Sequence, residues 1–173
     1  TGGIRARYDK MHLFDVDLPT GERHRESAAY AAGDGAVVAH TPWTRLGLSI
    51  CYDLRFPGLN AALSGAGAEI LSVPAAFTRP TGAAHWHLLL RARAVENACF
   101  AVAAAQTGLH ADGRATYGHS LVVSPWGDVR LDMGEAAGHQ VIEIDLAEVA
   151  EARARIPVLA HRRDVPVGVM GEA

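Results

Sequence analysis

The stretch Leu46-Gly47-Leu48-Ser49-Ile50-Cys51-Tyr52-Asp53-Leu54-Arg55-Phe56-Pro57 decides how this chain is expected to fold. Its small and apolar residues predict a buried strand that stops at Cys51, and the residues after Pro57 predict a helix. Such an elbow at the carboxyl edge of an α/β sheet exposes a side chain and directs backbone N–H groups toward what it attacks. Cys51 is therefore a candidate nucleophile, and a buried core thiol explains it equally well.

Segments typical of strands alternate with segments typical of helices along the chain, and this order predicts one α/β domain with a mixed sheet. Strands are expected near 4–11, 36–40, 46–51, 69–73, 99–105, 119–124 and 139–145, and helices near 57–66, 83–97 and 147–155. Ser124–Asp128 predicts a hairpin turn between two strands, because Pro and Gly there supply the turn geometry.

Composition excludes several classes of protein. The 173 residues are 49% hydrophobic and 20% charged, as expected for a globular domain, and a net charge of -3 without a basic stripe argues against a nucleic-acid partner. No apolar run approaches the roughly 20 residues that a membrane span needs, and no secretion signal is visible. We therefore expect a cytoplasmic protein with reduced Cys51 and Cys99. The sequence shows neither a nucleotide-binding glycine loop nor a metal-ligand spacing, so no cofactor and no metal are expected.

Three further polar residues carry possible chemistry. Lys10 is the only lysine of the chain, and an ammonium group at the end of a predicted strand could stabilise a developing oxyanion. Glu26 lies in the loop that follows, where it could orient the lysine or move a proton. Ordinary surface positions explain both residues as well. His119 could form a Cys–His pair with Cys51, although a structural, hydrogen-bonded histidine is the more common case.

With Cys51, Lys10 and Glu26 in view, the chain resembles the nitrilase superfamily of carbon–nitrogen hydrolases. The similar segments follow one another in the family's order over almost the whole chain: 8–15, 25–27, the Cys51 elbow, 68–77, 85–86, 90–97, 117–120 and 124–127. Residues 103–108 together with 117–120 look most like the deaminated glutathione amidase branch, and the omega-amidase branch is the second.

The resemblance implies a four-layer αββα sandwich in which residues 1–173 form a single hydrolase domain, equal to the C-terminal two thirds of the family fold. It implies that Cys51 forms a thioester with the acyl group and that Lys10 stabilises the tetrahedral intermediate, helped by the backbone N–H of Tyr52. Glu26 matches a glutamate that positions the lysine. Members of this family also associate, so a homodimer or a larger homo-oligomer is expected.

The resemblance further implies a substrate pocket. Arg55 stands where some members bind a substrate carboxylate, and a structural ion pair would explain it about as well. Phe77 and Trp86 would line the pocket or its floor, although ordinary packing explains both residues too. The expected activity is hydrolysis of a small carboxylate-bearing amide to an acid and ammonia.

Two departures from the family pattern qualify this expectation. His87 occupies a position where relatives commonly have Glu. The family's general-base glutamate precedes the lysine by more residues than stand before Lys10, so no residue here receives that role. The chain is therefore expected to lack the N-terminal part of the fold and to be inactive alone. The alternatives are a non-catalytic interaction module of the same fold and a Cys–His hydrolase on another α/β fold.

Overall fold

The computed structural model describes residues 2–18 and 21–168. Its strands are β1 (Asp15–Asp17), β2 (Arg23–Arg25), β3 (Val37–His40), β4 (Arg45–Leu48), β5 (Ile70–Ser72), β6 (Phe100–Ala103), β7 (Thr107–Leu109), β8 (Ala115–Tyr117), β9 (Leu121–Val123) and β10 (Val129–Asp132). Its α-helices are α1 (Pro57–Gly65), α2 (Arg79–Asn97) and α3 (Ala147–Arg155), and 3₁₀ turns cover Glu26–Ala28 and Cys51–Arg55.

A six-stranded mixed sheet with the order β10-β9-β6-β5-β4-β3 forms the centre of the fold. Strands β4, β5 and β6 are parallel, and the outer pairs β3–β4, β6–β9 and β9–β10 are antiparallel. The parallel trio brings the carboxyl ends of three strands to one edge of the sheet, which is where open α/β sheets bind ligands. The predicted hairpin at Ser124–Asp128 is confirmed, because it joins β9 to β10.

Helices α1 and α2 cover one face of this sheet. Pro57 begins α1 at a position where its missing N–H costs nothing. Gly47 lets α1 pack closely on β4, since a Cβ there would lie 3.2 Å from the Leu63 Cβ. The main core cluster then lies between α2 and the sheet and includes Trp86 and Leu90, both fully buried.

The opposite face of the sheet is covered by the segment that leads into α3. Val149 of this helix packs with Phe100 and Val122, and Ile142 and Ile144 pack against the same cluster. The central strands are thus buried on both faces, as their nearly continuous apolar runs predict.

Two predicted strands are wrong. Ile142 and Ile144 pack toward the core and the residues beside them are exposed, but 139–145 is not a strand, because no strand in the described part of the chain pairs with its backbone. Residues 4–11 likewise form no strand with any other described residues, and Tyr8 and Met11 instead pack against the cluster around α1. Hydrophobic alternation sets which side chains are buried, whereas a strand also requires a partner for its hydrogen bonds.

Two small hairpins, β1–β2 and β7–β8, complete the strands of the described residues, and sequence patterns did not predict them. Each has strands of only three residues, which is too short for a visible alternation. Within residues 2–18 and 21–168 there is one large sheet, and helices α1 and α2 form a layer on one of its faces. This sheet and helical layer correspond to one αβ half of the expected four-layer sandwich. Among these residues, no helix has both the length and the apolar character that crossing a membrane requires.

Candidate active site

Cys51 lies at the carboxyl edge of the sheet, three residues after the end of β4, and starts the 3₁₀ turn Cys51–Arg55. Its φ of 50° is in the left-handed region, which non-glycine residues rarely adopt and which is often found at functional sites. The Cys51 N–H donates to the Pro74 carbonyl at 2.9 Å, which fixes the strained backbone to the segment after β5. The chain therefore turns sharply at the candidate nucleophile.

Helix α1 begins only at Pro57, with the short 3₁₀ turn between it and Cys51. The donors near the sulfur are instead the backbone N–H groups of Ala76 and Tyr52, both of which favour the thiolate. The 3₁₀ turn and the segment after β5, rather than the end of α1, thus supply the polar groups at the thiol.

Burial is the largest influence on the Cys51 thiol and raises its pKa above the ordinary value. The Ala76 N–H, the positive charge of Lys10 and the Tyr52 N–H all lower this pKa, and the charge of Glu26 raises it. The effect of burial exceeds the effects that lower the pKa, so the pKa of the Cys51 thiol is raised overall. The sulfur is consequently protonated at neutral pH in this chain, and nucleophilic attack requires a base that removes the proton.

Lys10 and Glu26 form an ion pair, in which the Lys10 Nζ donates to the Glu26 Oε2. The same oxygen accepts the backbone N–H of Phe14 at 2.6 Å. The Lys10 side chain is only 10% exposed, so its ammonium group is held in place rather than solvated. Two donors on one carboxylate oxygen indicate that Glu26 positions the lysine.

Asp53 is a further residue of the site that the sequence analysis did not single out. Its carboxylate is fully buried and accepts the Tyr8 hydroxyl at 2.7 Å, the His12 N–H at 3.0 Å and the Ile50 N–H at 2.9 Å. The His12 ring Nδ1 also lies 2.8 Å from it. Asp53 thus joins the segment that carries Lys10 to the elbow that carries Cys51. The signal for it in the sequence was a charged residue only two positions after a candidate nucleophile.

An open groove of about 820 Å³ connects these residues. Cys51, Lys10 and Glu26 all line it, together with residues that follow β5 and β6, such as Pro74, Ala76, Ala104 and Gln106. The structure therefore brings the three predicted catalytic residues to one cavity at the expected edge of the sheet.

A smaller recess beside Cys51 contains most of the predicted substrate-binding residues. Tyr52, Arg55 and Phe77 line it together with Cys51. The Arg55 guanidinium lies over the Phe77 ring, 5.2 Å from its centroid, and its Nη1 is 3.2 Å from the His85 Nδ1. Arg55 thus carries a positive charge without a carboxylate partner among the ion pairs of the described residues.

Trp86 lies beneath the recess rather than at its surface. It is fully buried, its ring centroid is 4.8 Å from that of Phe77, and its Nε1 donates to the His119 carbonyl at 2.7 Å. Trp86 therefore supports the recess through Phe77.

His119 does not take part in a Cys–His pair. Its Nδ1 lies 2.8 Å from the Asp132 Oδ1, and the residue lines neither the groove nor the recess. Cys99 is fully buried, and both cysteines are free thiols. The thiol of Cys51 thus has Lys10 and Glu26, and not an imidazole, as its charged neighbours.

A strained cysteine at the sheet edge, with a lysine–glutamate pair in the same groove, defines a site suited to thiol-based acyl chemistry. The model of the carbon-nitrogen hydrolase family matches residues 1–154. The chain belongs to the carbon-nitrogen hydrolase family.

Known proteins give the same assignment. The deaminated glutathione amidase of Yersinia enterocolitica is 50% identical over 165 residues, which cover 95% of this chain and 58% of that protein. The crystal structure of the Caenorhabditis elegans NitFhit protein is 51% identical, with a TM-score of 0.82 over 92% of this chain and 39% of that one. The fold is therefore the nitrilase fold, and the chain spans little more than half the length of the curated amidase.

A second solved structure bears on the chemistry. A mutant of the amidase from Nesterenkonia sp. AN1, 29% identical with a TM-score of 0.73, carries the acetamide moiety of fluoroacetamide covalently added at its active-site cysteine. The match covers 90% of this chain and 52% of that one.

Proposed function

We propose that this chain is the nucleophile-bearing part of an amidase that hydrolyses a small, carboxylate-bearing amide through a thioester on Cys51. The observation that carries the proposal is the meeting of Cys51, Lys10 and Glu26 in one groove. A cysteine in an amidase of the same fold reacts covalently with an amide-bearing electrophile, which supports the role of the thiol.

The proposed reaction begins with the Cys51 sulfur attacking the amide carbonyl. The negative charge that develops on the carbonyl oxygen is stabilised by the Lys10 ammonium and the Tyr52 N–H, which are in place before the reaction begins. Collapse of the tetrahedral intermediate breaks the C–N bond, releases ammonia from a primary amide and leaves the acyl group on sulfur. Water then hydrolyses the thioester to the acid.

The base for these steps is not assigned to a residue of this chain. Glu26 is engaged by Lys10 and by the Phe14 N–H, so it acts as a positioning residue. The pKa of the Cys51 thiol is raised, so attack requires a base that takes its proton. The 173-residue chain by itself is accordingly proposed to be inactive.

The substrate carboxylate is proposed to bind Arg55. This guanidinium lies in the recess next to Cys51 and has no carboxylate partner in the described part of the chain. The relatives named deaminated glutathione amidase make deaminated glutathione the first natural compound to test. A cytoplasmic location and a homo-oligomeric state remain predictions.

The test measures amide hydrolysis by the protein with its natural full chain, using succinamate and the carboxylate-free butanamide. We expect Cys51→Ala to abolish turnover and Lys10→Gln to lower kcat/KM by about 10²- to 10³-fold for both amides. Arg55→Gln should lower kcat/KM for succinamate by about 10- to 100-fold more than for butanamide, because only succinamate has a carboxylate to bind.

Full turnover by Cys51→Ala would refute the thioester route. Folded wild-type protein with no turnover of succinamate or deaminated glutathione, and no labelling by fluoroacetamide, would favour the non-catalytic interaction module. Loss of activity in His119→Ala together with retention in Lys10→Gln would favour the Cys–His hydrolase.

A further inference from the structure

A cluster of side chains that can ligate a metal ion lies away from the catalytic groove. His87 is on α2, His119 is in the connection from β8 to β9, and Asp132 ends β10. One ligand atom from each residue lies within 4.8 Å of the other two. None of the three lines the groove or the recess at Cys51, and the proposed amidase reaction does not use them.

We propose that His87, His119 and Asp132 form a binding site for a divalent transition-metal ion of the Zn²⁺ type. Two imidazole nitrogens with one carboxylate oxygen suit Zn²⁺ and its first-row neighbours, whereas Mg²⁺ and Ca²⁺ prefer oxygen ligands alone. The remaining coordination positions would be filled by water, since His87 is 34% exposed, Asp132 32% and His119 21%.

The separations between the side chains are close to those of a metal centre. The His87 Nε2 and the His119 Nδ1 lie 2.9 Å and 3.1 Å from the same oxygen, the Asp132 Oδ2, and within 4.8 Å of each other. In a tetrahedral site with bonds of about 2.0–2.1 Å, ligand atoms stand roughly 3.3 Å apart. Each nitrogen therefore needs to move from this oxygen by less than about half an ångström, and rotation about the side-chain bonds can bring the two nitrogens, which lie within 4.8 Å of each other, to the same spacing.

His119 is held in position independently of the cluster. Its φ is 58°, its N–H donates to the Gly134 carbonyl at 2.7 Å, and its carbonyl accepts the Trp86 Nε1–H. Its ring stacks on Tyr117 with the centroids 4.4 Å apart. A metal ligand whose backbone N–H and carbonyl are both hydrogen-bonded, and whose ring is stacked, is preorganised. Preorganisation reduces the entropy lost when an ion binds.

The consequence of binding would be a cross-link between three separate segments. The ion would tie α2 to the β8–β9 connection and to the end of β10. Because Trp86 bonds His119 and packs on Phe77, the same link would stiffen the support of the recess. The sequence predicted no metal site, because metal-binding motifs are recognised by short spacings between ligands. These three residues come from segments that are far apart in the chain.

The experiment is a calorimetric titration of the protein with ZnCl₂, accompanied by thermal unfolding. We expect one ion per chain and, at a hundredfold excess over Kd, a rise in Tm of roughly 5 °C or more. His87→Gln keeps an N–H donor for Asp132 and Asp132→Asn keeps the shape of the side chain, and each should weaken binding by about 10- to 100-fold or more. His40→Gln, at an exposed histidine that ends β3, is the matched control and should bind as the wild type does.

A parallel titration with Co²⁺ separates this site from the two cysteines. Visible d–d absorption without a strong near-ultraviolet thiolate band is expected, and it should disappear in Asp132→Asn. The two variants change different elements, so a folding failure of one leaves the other as the test. The absence of binding to the wild type, a thiolate spectrum, or binding that His40→Gln weakens as much as the cluster variants would each overturn the proposal.

Discussion

At the scale of single residues, Cys51 combines a strained backbone with an unfavourable ionisation. Its left-handed φ directs the thiol into the groove, and the surrounding strand ends bury it. Burial raises the pKa of the thiol in spite of the nearby Lys10 ammonium. The geometry of a nucleophile is thus present without the protonation state that attack requires.

This balance gives a prediction for chemical labelling. In the folded 173-residue chain, alkylation of Cys51 by iodoacetamide should follow a pH profile displaced to higher pH than that of the same cysteine in urea, because only the thiolate reacts. Mass spectrometry of tryptic peptides at several pH values measures the two profiles. Lys10→Gln should move the folded profile still higher, since it removes a positive charge that favours the thiolate.

Cys99 serves as the internal control for this experiment. It is fully buried, so it should be labelled only when the chain is unfolded. A folded-state profile for Cys51 at or below the pH of the unfolded one would contradict the prediction and would show a group in this chain acting as the base.

At the scale of elements, α2 determines how the site is supported. Its residue Trp86 packs on Phe77 of the recess, and its residue His87 bonds Asp132 in the proposed metal site. The first turns of α2 pack against β8. Gly82 makes this approach possible, because a Cβ on it would lie 2.3 Å from the Tyr117 Cβ. The glycine is required by contact with a neighbouring element and not by its own φ.

We therefore expect Gly82→Ala to lower the free energy of unfolding by about 1–3 kcal/mol, as other overpacked sites do. Gly58→Ala is the matched control: Gly58 is also helical, in α1, and a Cβ there meets nothing within 4 Å. This variant should leave the stability unchanged or raise it by up to about 1 kcal/mol. Urea unfolding followed by circular dichroism measures both values, and equal effects of the two substitutions would rule out the packing explanation.

At the scale of the whole molecule, a buried carboxylate links the N-terminal segment to the sheet. Residues 4–11 form no strand, yet Lys10 must stay near Cys51 for the site to exist. Asp53 makes this connection by accepting bonds from Tyr8 and His12 on one side and from Ile50 on the other. The N-terminal segment is thus attached mainly through side chains.

This attachment predicts the effect of Asp53→Asn. The new amide group places N–H donors opposite N–H and O–H donors, so the free energy of unfolding should fall by about 1–3 kcal/mol. Tyr8→Phe removes a single hydroxyl and should cost only about 0.5–1.5 kcal/mol. Limited proteolysis after Arg7 and Lys10 should become faster in Asp53→Asn, and an unchanged cleavage rate would mean that other contacts hold the segment.

The sequence predicted the fold class, the parallel strands around the elbow and all three α-helices. These elements carry strong local signals, such as continuous apolar runs in β5 and β6 and the proline that begins α1. The false strands at 4–11 and 139–145 and the short hairpins β1–β2 and β7–β8 depend on which backbone finds a partner, and no local pattern records this.

For the site, the sequence by itself determined the residue types: a cysteine at an elbow, a single lysine and a glutamate. Only the tertiary structure brought them into one groove, added Asp53 as their link, and placed His87, His119 and Asp132 together. The physical reason is that apolar patterns are fixed by neighbouring residues, whereas distances between polar groups far apart in the chain depend on how the sheet and helices pack. The same packing sets the burial that raises the pKa of Cys51.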